Sequence, residues 1–136
     1  MYSSILVPVE MSNVSNAKPM IDLARSVGGE GAKVTLLHVF EEVPTWAATN
    51  LPKDIMNESI ESARSELQTA ADSFGQNVEA QVRVGHAYKT ILETAKETGA
   101  DMIIVQSHQP GLQDYFLGST AAKVVRHARC SVLVVR

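Results

Sequence analysis

The chain opens with Ser3-Ser4-Ile5-Leu6-Val7-Pro8-Val9, where branched apolar side chains follow one another without polar alternation. A strand buried on both faces reads this way, because neither face meets water. From about Asn16 to Val27 the apolar residues Met20, Ile21, Ala24 and Val27 take the spacing of one helical face, with Pro19 tolerable only in the first turn and Gly28-Gly29 as the stop. Lys33 to Phe40 is a second near-continuous apolar strand, and a loop containing Pro and Trp follows it from about Glu41 to Pro52.

A long helix comes next. Its stripe is Met56, Ile60, Ala63, Leu67, Ala70 and Phe74, and Gly75 is placed as its C-cap. Val78, Ala80, Val82 and Val84 then alternate with Glu79, Gln81 and Arg83, the pattern of a strand with one wet face near a sheet edge. Tyr88, Ile91, Leu92 and Ala95 mark a helix closed by Gly99, and Met102-Ile103-Ile104-Val105 a fourth strand leading into the polar loop from Gln106 to Leu117. Ala121, Val124, Val125 and Ala128 line a last helix, and Val132 to Val135 form a fifth strand. Five strands separated by helices predict right-handed crossovers and one α/β domain over residues 1–136, a doubly wound, Rossmann-like parallel sheet. Ligands of such sheets bind beyond the carboxyl ends of the strands, where strand order reverses. Glu10, Phe40, Glu41, Gly85 and the loop after Val105 occupy those ends.

Composition agrees with one ordinary core. In 136 residues, 45% are hydrophobic and 20% charged, which excludes disordered and membrane-spanning classes. No apolar run is long enough to cross a bilayer, and the first residues lack the pattern of a signal peptide, so a cytoplasmic location is expected. The single cysteine, Cys130, has no partner for a disulfide and reads as a small residue opening a strand. A net charge of −3 with scattered Lys and Arg offers no footprint for a polyanion, so no nucleic-acid partner is expected.

The densest glycine stretch, Gly28 to Gly31, follows a helix and precedes a strand, the reverse of a phosphate loop, and no GxxxxGK[ST] sequence occurs. Leu117-Gly118-Ser119-Thr120 is the better candidate, because it opens a helix directly after the loop behind the fourth strand. Helix N-terminal N–H groups and two hydroxyls could hold a phosphate there. Ser119 or Thr120 could equally cap the helix and do nothing more. His38, His86, His108 and His127 show no metal-ligand spacing, and Ser107, His108 and Asp114 lack the turn of a hydrolase nucleophile.

With Ile5-Leu6-Val7-Pro8-Val9-Glu10, Leu37-His38-Val39, and the block from Ser107-His108 through Leu117-Gly118-Ser119 to Val135, the whole chain resembles the universal stress protein family. The closing segment, LGSTAAKVVRHARCSVLVVR, is the most specific part. The resemblance implies a flavodoxin-like sheet of order 3-2-1-4-5 and a cofactor that is ATP or another adenine nucleotide, with or without Mg2+. Carried over by position, Val9 and Glu10 would flank ribose and adenine, with Pro8 beside them in the site, and Val39 would offer backbone groups to adenine. Val105, Gln106, His108 and Gln109 would bound the same site, with Gln106 and Gln109 narrowing the phosphate channel and Gly118, Ser119 and Thr120 holding phosphate. The chain departs from the family's G-x2-G-x9-G-[S/T] pattern: Gln106 and Gln109 replace the paired glycines, eight residues separate Gln109 from Gly118, and Glu10 replaces Asp. A branch with a similar S-H-x-P loop keeps its nucleotide.

The resemblance also implies a homodimer. In the order 3-2-1-4-5 the fifth strand is an edge, and its four consecutive apolar residues carry none of the charges that protect the third strand. Pairing with a second copy through this C-terminal strand follows. Two other functions stay open from sequence: a dimeric stress-response interaction protein with a vestigial pocket, and a slow ATPase or self-phosphorylating protein for which no catalytic base can be named.

Overall fold

The computed structural model describes residues 1–11, 14, 17–41, 52–107 and 118–136. Its elements are β1 (Ser4–Pro8), α1 (Lys18–Gly28), β2 (Lys33–Glu41), α2 (Lys53–Ser73), β3 (Val78–Gly85), α3 (Ala87–Thr98), β4 (Met102–Gln106), α4 (Ser119–His127) and β5 (Ser131–Val135). All strand pairs are parallel, in the order β3-β2-β1-β4-β5. This is the flavodoxin-like α/β sheet expected.

Alternation along the strands divides the core in two. Ile5, Val7, Val34, Leu36 and Ile104 pack on one face against Met20 and Ile21 of α1 and Leu67 and Ala71 of α2. Leu6, Leu37, Ile103 and Val105 pack on the other against Ile91 and Ala95 of α3 and Ala121 and Val124 of α4. Such near-continuous apolar runs make strands that lie between two helical layers, and each fully buried Leu or Ile contributes about 1.5–3 kcal/mol. Among the described residues no helix is long and apolar enough to cross a membrane.

Two details depart from the sequence reading. On α2 the buried residues are Ala63, Leu67 and Ala71, with Ala70 only half-buried, because the 3.6-residue period carries the inward stripe one position further along. On β3, Val84 is 46% exposed, since it stands at the carboxyl rim of an edge strand with a neighbour on one side only. The outward charges of that edge are engaged by surface pairs, Glu79 with Lys33 and Arg83 with Glu97.

The pairing of β1 with its two neighbours is unequal. Towards β2 the register runs from Ser4↔Lys33 to Pro8↔Leu37, and the Val9 N–H extends it by donating to the Leu37 carbonyl at 2.8 Å. Towards β4 only Ile5↔Met102 and Leu6↔Ile103 pair. The alternation explains the difference. Ser3 O and Val9 N–H face β2, whereas Ser4 O accepts from the Asp101 N–H on the β4 side. Pro8 shares that second parity, and it has no N–H to give, so the β1–β4 ladder stops where a donor is missing.

At the opposite end the same two strands are clasped. The Asp101 carboxylate accepts the Ser3 N–H at 2.9 Å, the Ser4 N–H at 3.1 Å and the Ser3 hydroxyl at 3.2 Å. Burial pulls the Asp101 carboxyl upward, but these donors outweigh it and hold the pKa below its ordinary 3.8. A carboxyl depressed in this way stabilises the fold above its unfolded pKa, and the increment is lost as pH falls through the folded value. Asp101→Asn should therefore lower the melting temperature by a few degrees at pH 7, with the gap closing as melts are taken below the ordinary carboxylate range. A gap that persists unchanged at low pH would assign the loss to shape rather than charge.

Candidate functional site: a cleft at the carboxyl ends of β1, β2 and β4

Where β1 and β4 part, a cleft of about 230 Å³ opens at the carboxyl ends of the strands. Pro8, Val9 and Glu10 come from the end of β1, and Val105 and Gln106 from the end of β4. β2 contributes Leu37, His38, Val39 and Glu41, while Ala87 and Ile91 of α3 and Thr120 and Ala121 of α4 close the helical side. The floor is apolar and rigid, since Val9, Leu37, Ile91, Val105 and Ala121 are all buried core residues.

Polar groups sit at its two sides. Glu10 and Glu41, both exposed, bring two carboxylates to the β1–β2 side. Carboxylates accept hydrogen bonds from sugar hydroxyls or an exocyclic amine and repel phosphate. On the other side α4 begins with Gly118 as N-cap, φ −56° and ψ 150°, and among the described residues no side chain caps it. The first-turn N–H groups of Ser119, Thr120 and Ala121 thus have no intrahelical acceptor, and the positive end of the helix dipole lies there. Ser119 and Thr120 are inside the helix and do not cap it, which removes the structural role that sequence left open for them. Gly118 itself takes an ordinary negative φ, and an added Cβ would meet the Ser107 carbonyl at an acceptable 3.5 Å.

Val39 presents backbone as well as side chain. Lys33 N–H donates to Ser3 O and Leu37 O accepts from Val9 N–H, so odd-numbered β2 residues face β1. The peptide edge of Val39 points the same way, past the last register pair, Pro8↔Leu37. His38 ties the two strand ends together: it is buried, and its Nδ1–H donates to the Val9 carbonyl at 3.0 Å. That partner requires the ring proton on Nδ1. Phe40 meets the His38 ring edge-on at 4.8 Å.

Of the residues singled out from sequence, Pro8, Val9, Glu10, Val39, Val105, Gln106 and Thr120 line the cleft. Gly118 and Ser119 stand at the start of α4 beside it, and are not among its lining residues. His108 and Gln109 lie outside the described residues. Gly85 does not line the cleft; an added Cβ would meet Thr90 Oγ1 at 2.5 Å, so close packing of β3 on α3 requires glycine there. Sequence reasoning missed His38, whose signal is an imidazole inside the otherwise largely apolar run of β2. It also missed Leu37, Ala87, Ile91 and Ala121 as walls, because their apolar character marks only core. Among the described residues no group of three His, Cys, Asp or Glu side chains could hold a metal ion.

The family model described as the universal stress protein family matches residues 1–136. Universal stress protein A homolog 2 of Coxiella burnetii is 33% identical over 99% of this chain and 95% of its own length. Among solved structures, universal stress protein UspA from Lactobacillus plantarum superposes with a TM-score of 0.73 at 26% identity, covering 99% of this chain and 98% of that one. A universal stress protein in complex with cAMP shares the fold at a TM-score of 0.64 and 22% identity, covering 99% of this chain and 97% of that one. With a family model spanning its full length, the chain belongs to the universal stress protein family.

Proposed function

We propose that this chain is a stress-response protein that binds an adenine nucleotide, ATP, ADP or AMP, in the cleft between the ends of β1, β2 and β4 and works as a homodimer. The observation that carries the nucleotide reading is the polarity of the cleft: two carboxylates at the β1–β2 side and, across from them, a helix N-terminus that no described side chain caps. A nucleotide has the matching polarity. Its ribose hydroxyls suit Glu10, its adenine edge suits the peptide of Val39, and its phosphates suit the first turn of α4. A cleft of about 230 Å³ is smaller than the ~300–1,000 Å³ of whole small-molecule sites, so it suits the nucleoside, with the phosphates projecting to Ser119 and Thr120. A Mg2+ ion, where a triphosphate is bound, would ride on the phosphates, because the described residues offer it no ligand set.

Thr120→Ala should weaken ATP binding about ten- to hundredfold in a calorimetric titration, the loss of one charge-assisted hydrogen bond worth roughly 1.5–3 kcal/mol. AMP, which reaches less far along α4, should lose less than ATP. An unchanged dissociation constant for both would remove the phosphate role of this helix, and absence of ATP binding to the wild type would leave the interaction-protein reading.

The homodimer rests on β5. Among the described residues this strand pairs only with β4 and forms the sheet edge, and Val132, Leu133, Val134 and Val135 are all half-buried rather than covered. Unlike β3, it carries no charged residue from Ser131 to Val135. Antiparallel pairing with a second copy would satisfy its outer backbone groups and bury both apolar faces in a self-complementary interface. Sedimentation should find a wild-type dimer at micromolar concentration and a folded monomer for Val134→Lys, whereas Gln81→Lys should leave the dimer intact. A dimer that survives Val134→Lys would place the interface elsewhere.

A further inference from the structure

A second depression lies at the other end of the α3–α4 helix pair. It has a volume of about 470 Å³, twice that of the nucleotide cleft and within the ~300–1,000 Å³ typical of small-molecule sites. Ile103, the second residue of β4, and Cys130, just before β5, put it at the amino ends of the strands. The two depressions share no lining residue.

Its floor is apolar: Ala95 and Ile103 are buried, and Leu92, Ala100 and Cys130 are half-buried around them. Burial first, and the Asp101 charge after it, push the Cys130 thiol pKa above its ordinary value, so at neutral pH this residue is mainly an uncharged thiol wall that reacts slowly with disulfide reagents. The rim is charged, with Lys96 on α3, Arg129 on the segment entering β5, and one carboxylate, Glu93. Among the described residues Lys96, Arg129 and Glu93 have no ion-pair partner. The carbonyls ending α3 do not occupy Lys96 either, because the Gly99 and Ala100 N–H groups turn back to the Lys96 and Ala95 carbonyls at 3.3 and 2.8 Å. Among the lining side chains two cations stand against one carboxylate, one positive unit on a chain whose total is −3, and the Asp101 charge that reaches Cys130 acts from outside the lining.

An apolar floor beneath a singly positive rim is complementary to a molecule with an alkyl body and one negative head. We propose that this groove is a second ligand site that binds a free medium-chain alkyl carboxylate, the chain lying on Ala95, Ile103 and Cys130 and the carboxylate meeting Lys96 and Arg129. A cationic amphiphile of the same length would face two like charges, and a short carboxylate such as acetate would leave the floor bare. His127 flanks the opening, its ring stacked on Tyr88 with centroids 5.9 Å apart, and limits the groove on the α4 side.

Cys130 provides the readout. Decanoate at ten times its dissociation constant should slow modification of the Cys130 thiol by a disulfide reagent about tenfold, and calorimetry should give one site per chain. Decyltrimethylammonium should give no protection. The double variant Lys96→Glu with Arg129→Glu changes two exposed residues and should keep the fold by circular dichroism, yet lose at least about tenfold in decanoate affinity. Saturating ATP should leave decanoate protection unchanged, because the nucleotide cleft is at the far end of the strands. Absence of decanoate binding, equal protection by the ammonium compound, protection that survives the double reversal, or displacement of decanoate by ATP would each overturn the proposal.

Discussion

A missing hydrogen-bond donor at Pro8 governs the site. Strand order reverses between β1 and β4, and a parallel sheet opens a crevice at such a point only if the two strands separate. The parity of β1 turns position 8 towards β4, and proline there has no N–H to extend the ladder beyond Leu6↔Ile103. On the β2 side nothing is lost, and Val9 carries the pairing one step further. One residue thereby lets β1 stay fixed to β2 while releasing β4. The Asp101 clasp at the opposite end keeps the separation local, so the strands part at their carboxyl ends only.

The chemistry of the cleft follows from what the parting exposes. Core side chains such as Leu37, Ile91 and Ala121 become its walls, which explains why they are rigid and apolar. His38, bonded to the Val9 carbonyl, fixes the end of β1 against β2 and so sets the position of Glu10. Charge then gives the cleft a polarity. Glu10 and Glu41 make one side negative, while the start of α4, which no described side chain caps, makes the other positive. The same two helices that carry Ala87, Ile91, Thr120 and Ala121 to this cleft carry Leu92 to Lys96 and His127 to the groove at the other end. A single helix layer therefore shapes two chemically different depressions.

Much of this was legible in the sequence, because buried parallel strands and amphipathic helices leave strong periodic signals. The runs Ile5 to Val9, Lys33 to Phe40 and Met102 to Val105 each became a strand between two helical layers, and the stripe of α2 was off by one position only, at Ala70 and Ala71. Cleft residues at strand ends, such as Glu10 and Val39, were visible through the rule that ligands bind there. What sequence could not show was the dual use of core residues, since Ile91 and Ala121 look alike whether they face a helix or a crevice. It also could not decide between capping and binding for Ser119 and Thr120, because the distinction depends on which residue takes non-helical φ and ψ, and that residue is Gly118. The open groove beside Cys130 left no periodic trace at all.

Amide chemical-shift mapping with ATP distinguishes whether the crevice at the strand-order reversal is the proposed nucleotide site. The expected result is a cluster of perturbed amides at Val9 and Glu10, at His38 to Glu41, at Val105 and Gln106, and at Ser119 to Ala121, with Leu92 to Lys96 and Cys130 unaffected. Perturbations centred on Ala95 and Cys130, or none at any ATP concentration, would contradict it.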